Sequence, residues 1–258
     1  MAQPEAVRKV CACGFFSALM HVALSLSVWL LAFALAWLIL SQQNFYYSAW
    51  YKLLNIEQTI ITYGAQNRFG KQNFAKTDID QHQRLFADIV DSINNEGAGL
   101  KDIYYHLDNP SQTSYPLLTQ AEVQHLQDVA DVVTLVKPVV LAAIIITAIF
   151  NVYLYWNKQL PVSLKKQSKY SFLTIVIALV VILVMGAEAV FYQLHEWIFA
   201  DHQWFFYYQD SLMSTLMQAP NIFAPIAIIW LLLAVSLWWL ISILVSSLHW
   251  RYNKKPQH

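Results

Sequence analysis

A chain of 258 residues that is 57% hydrophobic and only 12% charged carries about half the usual charged share, too little polar surface to cover a water-soluble fold. Sixteen Lys+Arg balance sixteen Asp+Glu, so no net basic field attracts nucleic acid, and none is expected as a partner. The apolar residues fall in long runs, which predicts an all-α membrane protein with four transmembrane helices and a small helical extracytoplasmic cap.

Crossing a hydrocarbon core of roughly 30 Å takes about 20 apolar residues. After a cytoplasmic N-terminus (1–14), the first span is 15–40, from Phe15 to Leu40, without a charge. Arg8 and Lys9 before an apolar run suggest a signal peptide. The run is about twice the usual length, however, and Ile39-Leu40-Ser41-Gln42-Gln43 offers no small-x-small cleavage site, so a retained helix is expected. Cys11 and Cys13, the only cysteines, lie at the cytoplasmic end and read as structural or incidental. The outer face then has no thiol nucleophile. His21, inside the span, reads as packed or backbone-bonded.

Residues 41–131 form the cap. The run Asn44-Phe45-Tyr46-Tyr47-Ser48-Ala49-Trp50-Tyr51 directly follows a span and reads as an interfacial belt. Leu54 to Phe69 and Asp80 to Ile93 place apolar residues at helical intervals, with Leu85, Ile89 and Ile93 four apart. Pro110 and Pro116 punctuate a polar turn region, and no alternating strand pattern is visible. Thr119-Gln120-Ala121-Glu122 is a capping box that opens a helix leading into the second span. That helix carries His125 and Asp128 on one face, where a carboxylate can hold an imidazole tautomer; a solvated helix face is the plainer alternative. His125 should lie near headgroup level, about 10 Å along the helix axis from the span.

The second span, 132–156, is interrupted only by Lys137 and Pro138, and a cytoplasmic loop follows at 157–169. The third span, 170–191, carries Glu188. With Tyr192 and His195, spaced four and three apart, it forms one face of what reads as a single helix. An unpaired charge at such a depth costs about 2.5–3.5 kcal/mol, so Glu188 needs a partner, through an interhelix bond or a functional role. The outer segment 192–221 packs seven aromatics into residues 197–208. Trp197, Trp204, Phe205 and Phe206 suit the membrane interface or the apolar wall of a lipid site. The uncharged fourth span, 222–248, precedes a cytoplasmic tail at 249–258. His82, His106, His249 and His258 have no motif around them.

Orientation follows from basic residues near the span ends. Arg8, Lys9, Lys158, Lys165, Lys166, Lys169, Arg251, Lys254 and Lys255 share one side with a single acid, Glu5. Both termini should therefore be cytoplasmic, with the cap and the segment 192–221 outside.

The chain lacks a Gly-x-Ser-x-Gly elbow, a P-loop, a dinucleotide fingerprint and a His-Glu-x-x-His pair. What remains outside is His125 and His195, each with carboxylate neighbours, suited to proton transfer at a lipid ester or amine, or to a metal. The stretch Phe191-Tyr192-Gln193-Leu194-His195-Glu196-Trp197-Ile198-Phe199, with Gln203-Trp204-Phe205-Phe206 and Asp210-Ser211-Leu212-Met213, resembles the aromatic-His signature of the lipoprotein intramolecular transacylase family. Leu118 to Val129 is similar to that family's Glu-x-x-His-Leu/Met-x-Asp-Val element, and the four-span layout is similar as well.

The resemblance implies transfer of the sn-2 acyl chain of a lipoprotein's diacylglyceryl-cysteine to the α-amino group of that cysteine. It implies diacylated bacterial lipoproteins and membrane lipid as partners, no cofactor and no metal. It maps the two functional histidines onto His125 and His195; Asp128, Glu188 and Tyr192, on the same helix faces by spacing, are the expected supporting residues. The chain departs from the family in having His202-Gln203 before the signature tryptophan where Gly-Asn is usual, in a displaced Pro220, and in a longer outer segment.

The chemistry fits these residues. An α-ammonium near pKa 8 facing an imidazole near 6.5 loses its proton at a cost of about 2 kcal/mol. Amine and ester belong to one molecule, so effective molarity replaces a second bound substrate. Acyl methylenes favour lipid by about 0.8 kcal/mol each, which keeps the chains in the bilayer while reaction proceeds at its surface. The expected division of labour has His125, oriented by Asp128, as base and His195 as oxyanion donor or acid. A metal-dependent hydrolase using His125, His195 and carboxylates among Asp128, Glu188, Glu196 and Asp201 is the first alternative. A non-enzymatic lipid-binding scaffold is the second. Haem would need facing histidines deep in the bundle, where only His21 lies.

Overall fold

A computed structural model of the chain describes residues 4–107, 113–157, 163–199 and 202–253. Pro110, Lys158, Asp201, Lys254, Lys255 and His258 lie outside the described residues, as do the side chains of Glu5, Arg8, Lys9, Cys11, Cys13, His249 and Arg251. The described helices are α1 (Pro4–Gln42), α2 (Tyr47–Leu53), α3 (Ile56–Thr59), α4 (Ile79–Asn94), α5 (Gln120–Trp156), α6 (Leu164–Met185), α7 (Ala187–Ile198), α8 (Leu212–Met217) and α9 (Phe223–Asn253). Four of them are long and apolar enough to cross a membrane, through Leu19–Gln42, Gln120–Trp156, Leu164–Met185 and Phe223–Ser247. At most 28% of any of these apolar windows is buried within the protein, and none of that in α6. Side chains such as Leu183 and Val184, 82% and 80% exposed, require hydrocarbon rather than water around them.

The contacts form two compact units. The first holds residues 1–37, 138–179 and 231–258. Met20, Leu24, Val28 and Ala32, four apart on α1, pack on Leu154 of α5 and Trp238 of α9. Trp29 stacks on Trp238 at 4.9 Å and donates its indole N–H to Ser171 Oγ on α6 at 3.2 Å. Small side chains at Ala32 and Ala36 permit close helix approach. Ser27, Asn151, Thr174 and Ser236 donate to carbonyls four residues back, so these donors are satisfied within their own helices, whereas Thr147 Oγ1, Asn151 Oδ1 and Trp238 Nε1 are buried without a partner among the described residues.

The second unit holds residues 38–137 and 180–230. Its core departs from the sequence reading in four ways. Tyr47 and Tyr51, expected in an interfacial belt, are buried: Tyr47 stacks on Phe86 of α4 at 4.1 Å and donates to the Leu216 carbonyl. A left-handed turn at Asn44, Phe45 and Tyr46 swings the chain from α1 into this core. The stretch from Leu54 to Phe69 is helical only over 56–64, where α3 runs straight on into a π turn at Ile60–Gly64; Asn55, with φ +53°, separates it from α2. A short antiparallel pair, β1 (Tyr104–His106) and β2 (Ser114–Pro116), stands where no strand was expected. Three residues per strand are too few to show alternation. Helix α4 follows its periodicity, capped by Asp78 on Gln81 N at 2.7 Å and burying Leu85, Phe86, Ile89 and Val90.

The fourth departure concerns the third span. It ends at Met185, and Gly186, with φ +86°, separates α6 from α7. A side chain at that φ is disfavoured, which makes glycine the natural breaking point. Glu188, Tyr192 and His195 do share one helix, but it is α7 and not the membrane-crossing α6.

Two buried polar networks hold this unit. Glu122 is fully buried. Oε2 accepts from Thr119 N at 2.5 Å and Oε1 from Ser211 Oγ at 2.6 Å and Met213 N at 3.2 Å. Thr119 Oγ1 closes the capping box on Glu122 N at 3.4 Å. The start of α5 is thereby pinned to the start of α8. His82, which has no motif around it, is buried with both nitrogens bonded. Thr77 spends its proton on the Phe74 carbonyl, so His82 Nε2–H donates to Thr77 Oγ1 at 2.7 Å. Nδ1 therefore accepts the Tyr51 hydroxyl at 2.8 Å. Burial, opposed by nearby Asp78, pushes the imidazole down to about 4.

Replacing Glu122 with Gln sets an amide N–H against a donor already in place. We expect a loss of about 1–3 kcal/mol, read as a thermal midpoint in detergent several degrees lower; an unchanged midpoint would show the clamp to be dispensable. His82 has a folded pKa below its unfolded 6.5. Its contribution is complete above pH 6.5 and is lost as pH falls toward 4, by up to about 3 kcal/mol. Unfolding midpoints between pH 7.5 and 4.5 should fall more steeply in the native protein than in His82→Asn, and parallel curves would contradict this.

Candidate active site

Helix α5 has 37 residues, about 55 Å at 1.5 Å per residue, well beyond a hydrocarbon core of roughly 30 Å. It is therefore longer than the crossing requires, and its three acids, Glu122, Asp128 and Asp131, all lie in the first turns together with His125. The clamp at Glu122 fixes their position, and His125 follows one turn later.

His125 is 7% exposed. Its ring centroid lies 6.0 Å from that of His195, 5.1 Å from Phe199 and 6.0 Å from Phe206. Its Nδ1 is buried without a hydrogen-bond partner. Burial first, then the nearby His195, push this imidazole down to about 4, against the pull of Asp128. It is neutral at pH 7.

His195 is half-buried on α7. Its Nδ1 sits 2.8 Å from the carbonyl of Phe191, one turn earlier. A carbonyl only accepts, so Nδ1 carries the proton and Nε2 presents a lone pair. Phe191 lies against the ring at 3.9 Å, with Trp204 at 5.4 Å and Phe199 at 5.3 Å. Burial lowers this histidine too, opposed by the Phe191 carbonyl. The site thus holds two neutral imidazoles side by side, their planes tilted by 42°, within a ring of aromatics.

The expected supporting residues are arranged differently. Asp128 does not orient His125: Oδ2 takes His202 Nδ1 at 2.8 Å and Oδ1 takes Gln124 Nε2 at 3.1 Å. Sharing a helix face permits a contact without requiring it, and the loop supplies a closer donor. Glu188 is exposed in the first turn of α7 and accepts from the Tyr192 hydroxyl, rather than reaching His195 or another helix. Tyr192 in turn touches Trp204 at 5.9 Å and Phe205 at 5.7 Å. Of the expected wall, Trp204 and Phe206 face the histidines, and Phe205 packs one layer out. Trp197, 73% exposed, is not buried among these rings.

Sequence reasoning missed Phe199, which touches both histidines, and the reach of Glu122 to Ser211 and Met213. It noted His202 only as a departure from the family pattern. Among the described residues no three His, Cys, Asp or Glu side chains converge as a metal-binding group; of the donors named for the hydrolase alternative, Asp201 lies outside the described residues.

The model of the family described as lipoprotein intramolecular transacylase Lit matches residues 20–219. No curated protein matches the chain. Among solved structures, the membrane-integral lipoprotein intramolecular transacylase of Bacillus cereus is similar at 21% identity and a TM-score of 0.62, with 97% of each chain covered. A second structure of that protein gives 22% and 0.61, over 93% of this chain and 96% of the other. At this identity the likeness speaks for the fold, and the family assignment rests on the match to the family model. This chain belongs to the lipoprotein intramolecular transacylase family and is a multi-pass membrane acyltransferase.

Proposed function

We propose that the protein moves the sn-2 acyl chain of a diacylglyceryl-cysteine lipoprotein onto the α-amino group of the same cysteine, leaving an N-acyl, lyso-form lipoprotein. The observation that carries this reading is the adjacent pair of neutral imidazoles, His125 and His195, in an aromatic surround at the head of α5.

The roles we assign reverse the sequence expectation. His195, with its Nδ1–H held by Phe191 and its Nε2 lone pair open, is the base. As the amine nitrogen attacks the ester carbonyl, His195 takes its proton. When the tetrahedral adduct collapses and the C–O bond to glycerol breaks, the same imidazolium returns that proton to the departing oxygen. Nothing else is consumed: an ester becomes an amide and a hydroxyl. His125, neutral and shielded from water, donates one N–H to the oxyanion, where a fixed dipole in an apolar site is worth most. Trp204 and Phe206 wall the site, and Asp128, Glu188 and Tyr192 support it indirectly.

In this reading the spans are 15–40, 132–156, 170–185 and 222–248 of a bacterial cytoplasmic membrane, with both termini inside and the histidines outside. Lys/Arg placement supports the orientation. The acyl chains stay in lipid while the amine meets His195 at the surface.

Mass spectrometry of a lipoprotein's N-terminal peptide, from a host without its own N-acylating enzymes, tests the roles. Native protein should move one acyl chain from oxygen to nitrogen at constant mass. His195→Ala should fall by about 100-fold or more, from loss of the base, and His125→Ala by about 100-fold, from loss of one oxyanion donor. Full transfer by either variant contradicts the assignment. A lysolipid with a free cysteine amine would instead indicate hydrolysis.

The pH profile is a second test. The amine must be neutral, so the logarithm of the rate should rise with slope one up to about pH 8. Because burial lowers His195, a second protonation steepens the slope only below pH 6.5. A rate that falls between pH 6 and 8 would contradict a neutral base.

A further inference from the structure

The stretch 202–206 carries two rings of the site wall, yet it contains no helix or strand. Its far side is well tied: Arg68 N donates to the Gln209 carbonyl at 2.9 Å, the Tyr208 hydroxyl to Ala219, and Thr215 Oγ1 to the Tyr208 carbonyl at 2.8 Å. An ion pair from Arg68 to Asp210 at 3.3 Å adds to these. Between His202 and Phe206 the arrangement is sparser. Gln203 donates to the Phe205 carbonyl within the stretch itself. Among the described residues, the polar bond that joins the stretch to another element is His202 Nδ1 to Asp128 Oδ2 at 2.8 Å.

Asp128 is well suited to anchor such a tie. It lies one turn beyond His125 on the helix that Glu122 clamps, its side chain is 18% exposed, and its other oxygen is held by Gln124. Ring contacts at 5–6 Å fix how near Trp204 and Phe206 come to the histidines, but they are weakly directional. A hydrogen bond to a fixed carboxylate sets where along α5 the stretch is held.

We infer that His202 is a positioning residue for the acyl transfer: through Asp128 it fastens the aromatic stretch to α5 and so sets Trp204 and Phe206 against the two histidines. This rests on the reaction proposed above. The same bond occupies the carboxylate that would otherwise lie within reach of His125, leaving that imidazole to the apolar surround. A displacement of the wall by about 1 Å is enough to cost one to two orders of magnitude in a reaction that depends on placement.

The test combines a double-mutant cycle with a probe of the tie that needs no turnover. Transfer rates are compared for native protein, His202→Ala, Asp128→Ala and the double variant, with thermal midpoints recorded for each. His202→Ala should transfer about tenfold more slowly at a nearly unchanged midpoint, and should have no further effect in the Asp128→Ala background. His202→Asn, which keeps a donor for Asp128, should recover to within about threefold of native. A nitroxide on Gln203→Cys, after Cys11 and Cys13 are changed to Ser, should become more mobile when His202 is removed. A native rate in His202→Ala, losses that multiply in the double variant, or a label whose mobility does not change would each overturn the inference. If native protein transfers no acyl chain, it is the reaction that fails, and the nitroxide alone then decides whether the tie exists.

Discussion

A carboxylate shut away from solvent must use its lone pairs within the protein, and Glu122 uses them on two parts of the chain at once. One oxygen holds the amide of Thr119, where α5 begins; the other holds Ser211 and Met213, where α8 begins. Burial lowers the pKa of Lys71, against the pull of nearby Glu122, and its ammonium donates to the Leu117 carbonyl at 2.9 Å, steadying the entry to α5. The first turn of α5 then has one position relative to the α7–α8 connection, and that position brings His125 against Phe199, Phe206 and His195. Losing one partner from such a network costs the desolvation of whatever is left unpaired.

The break at Gly186 is the complementary condition. Had α6 continued, His195 would sit on a helix directed by the membrane-crossing segment. With the break, α7 takes its own direction, and its Phe191 carbonyl and Phe191 ring define both the tautomer and the surroundings of His195. A neutral base and a neutral donor in an apolar ring suit a reaction whose substrate brings both amine and ester. In the proposed reaction the protein need supply no second reactant.

The legible part of this arrangement was local. Charge-free runs of twenty or more residues leave little choice but spanning helices, and Thr119-Gln120-Ala121-Glu122 states its own hydrogen bonds because both partners lie within one turn. His125 and His195 were singled out on local grounds, His125 by a carboxylate three residues on and His195 by the aromatic run around it, together with the family resemblance. Long-range partners were illegible: Ser211 lies 89 residues from Glu122, and no spacing rule connects them. Asp128 shows the limit of helical spacing, which placed it beside His125 but could not foresee His202 arriving from 74 residues away. Tyr47 and Tyr51 looked interfacial because they follow a span, whereas the cap needed large rings for its core. The Gly186 break did leave a signal, a lone glycine in an apolar run, but one that is equally compatible with an unbroken helix.

The central claim is that one lipoprotein molecule donates and receives the acyl chain, and a crossover measurement tests it most directly. Native protein in detergent is given an equal mixture of two lipoproteins, one with a deuterated sn-2 chain and the other with a distinguishable peptide and ordinary lipid. N-terminal peptides are then sequenced by mass spectrometry. Transfer within each molecule predicts deuterium on the cysteine nitrogen of the first lipoprotein and none on the second. Deuterated acyl chains on the nitrogen of the second would contradict the account, because the chain would have passed between molecules.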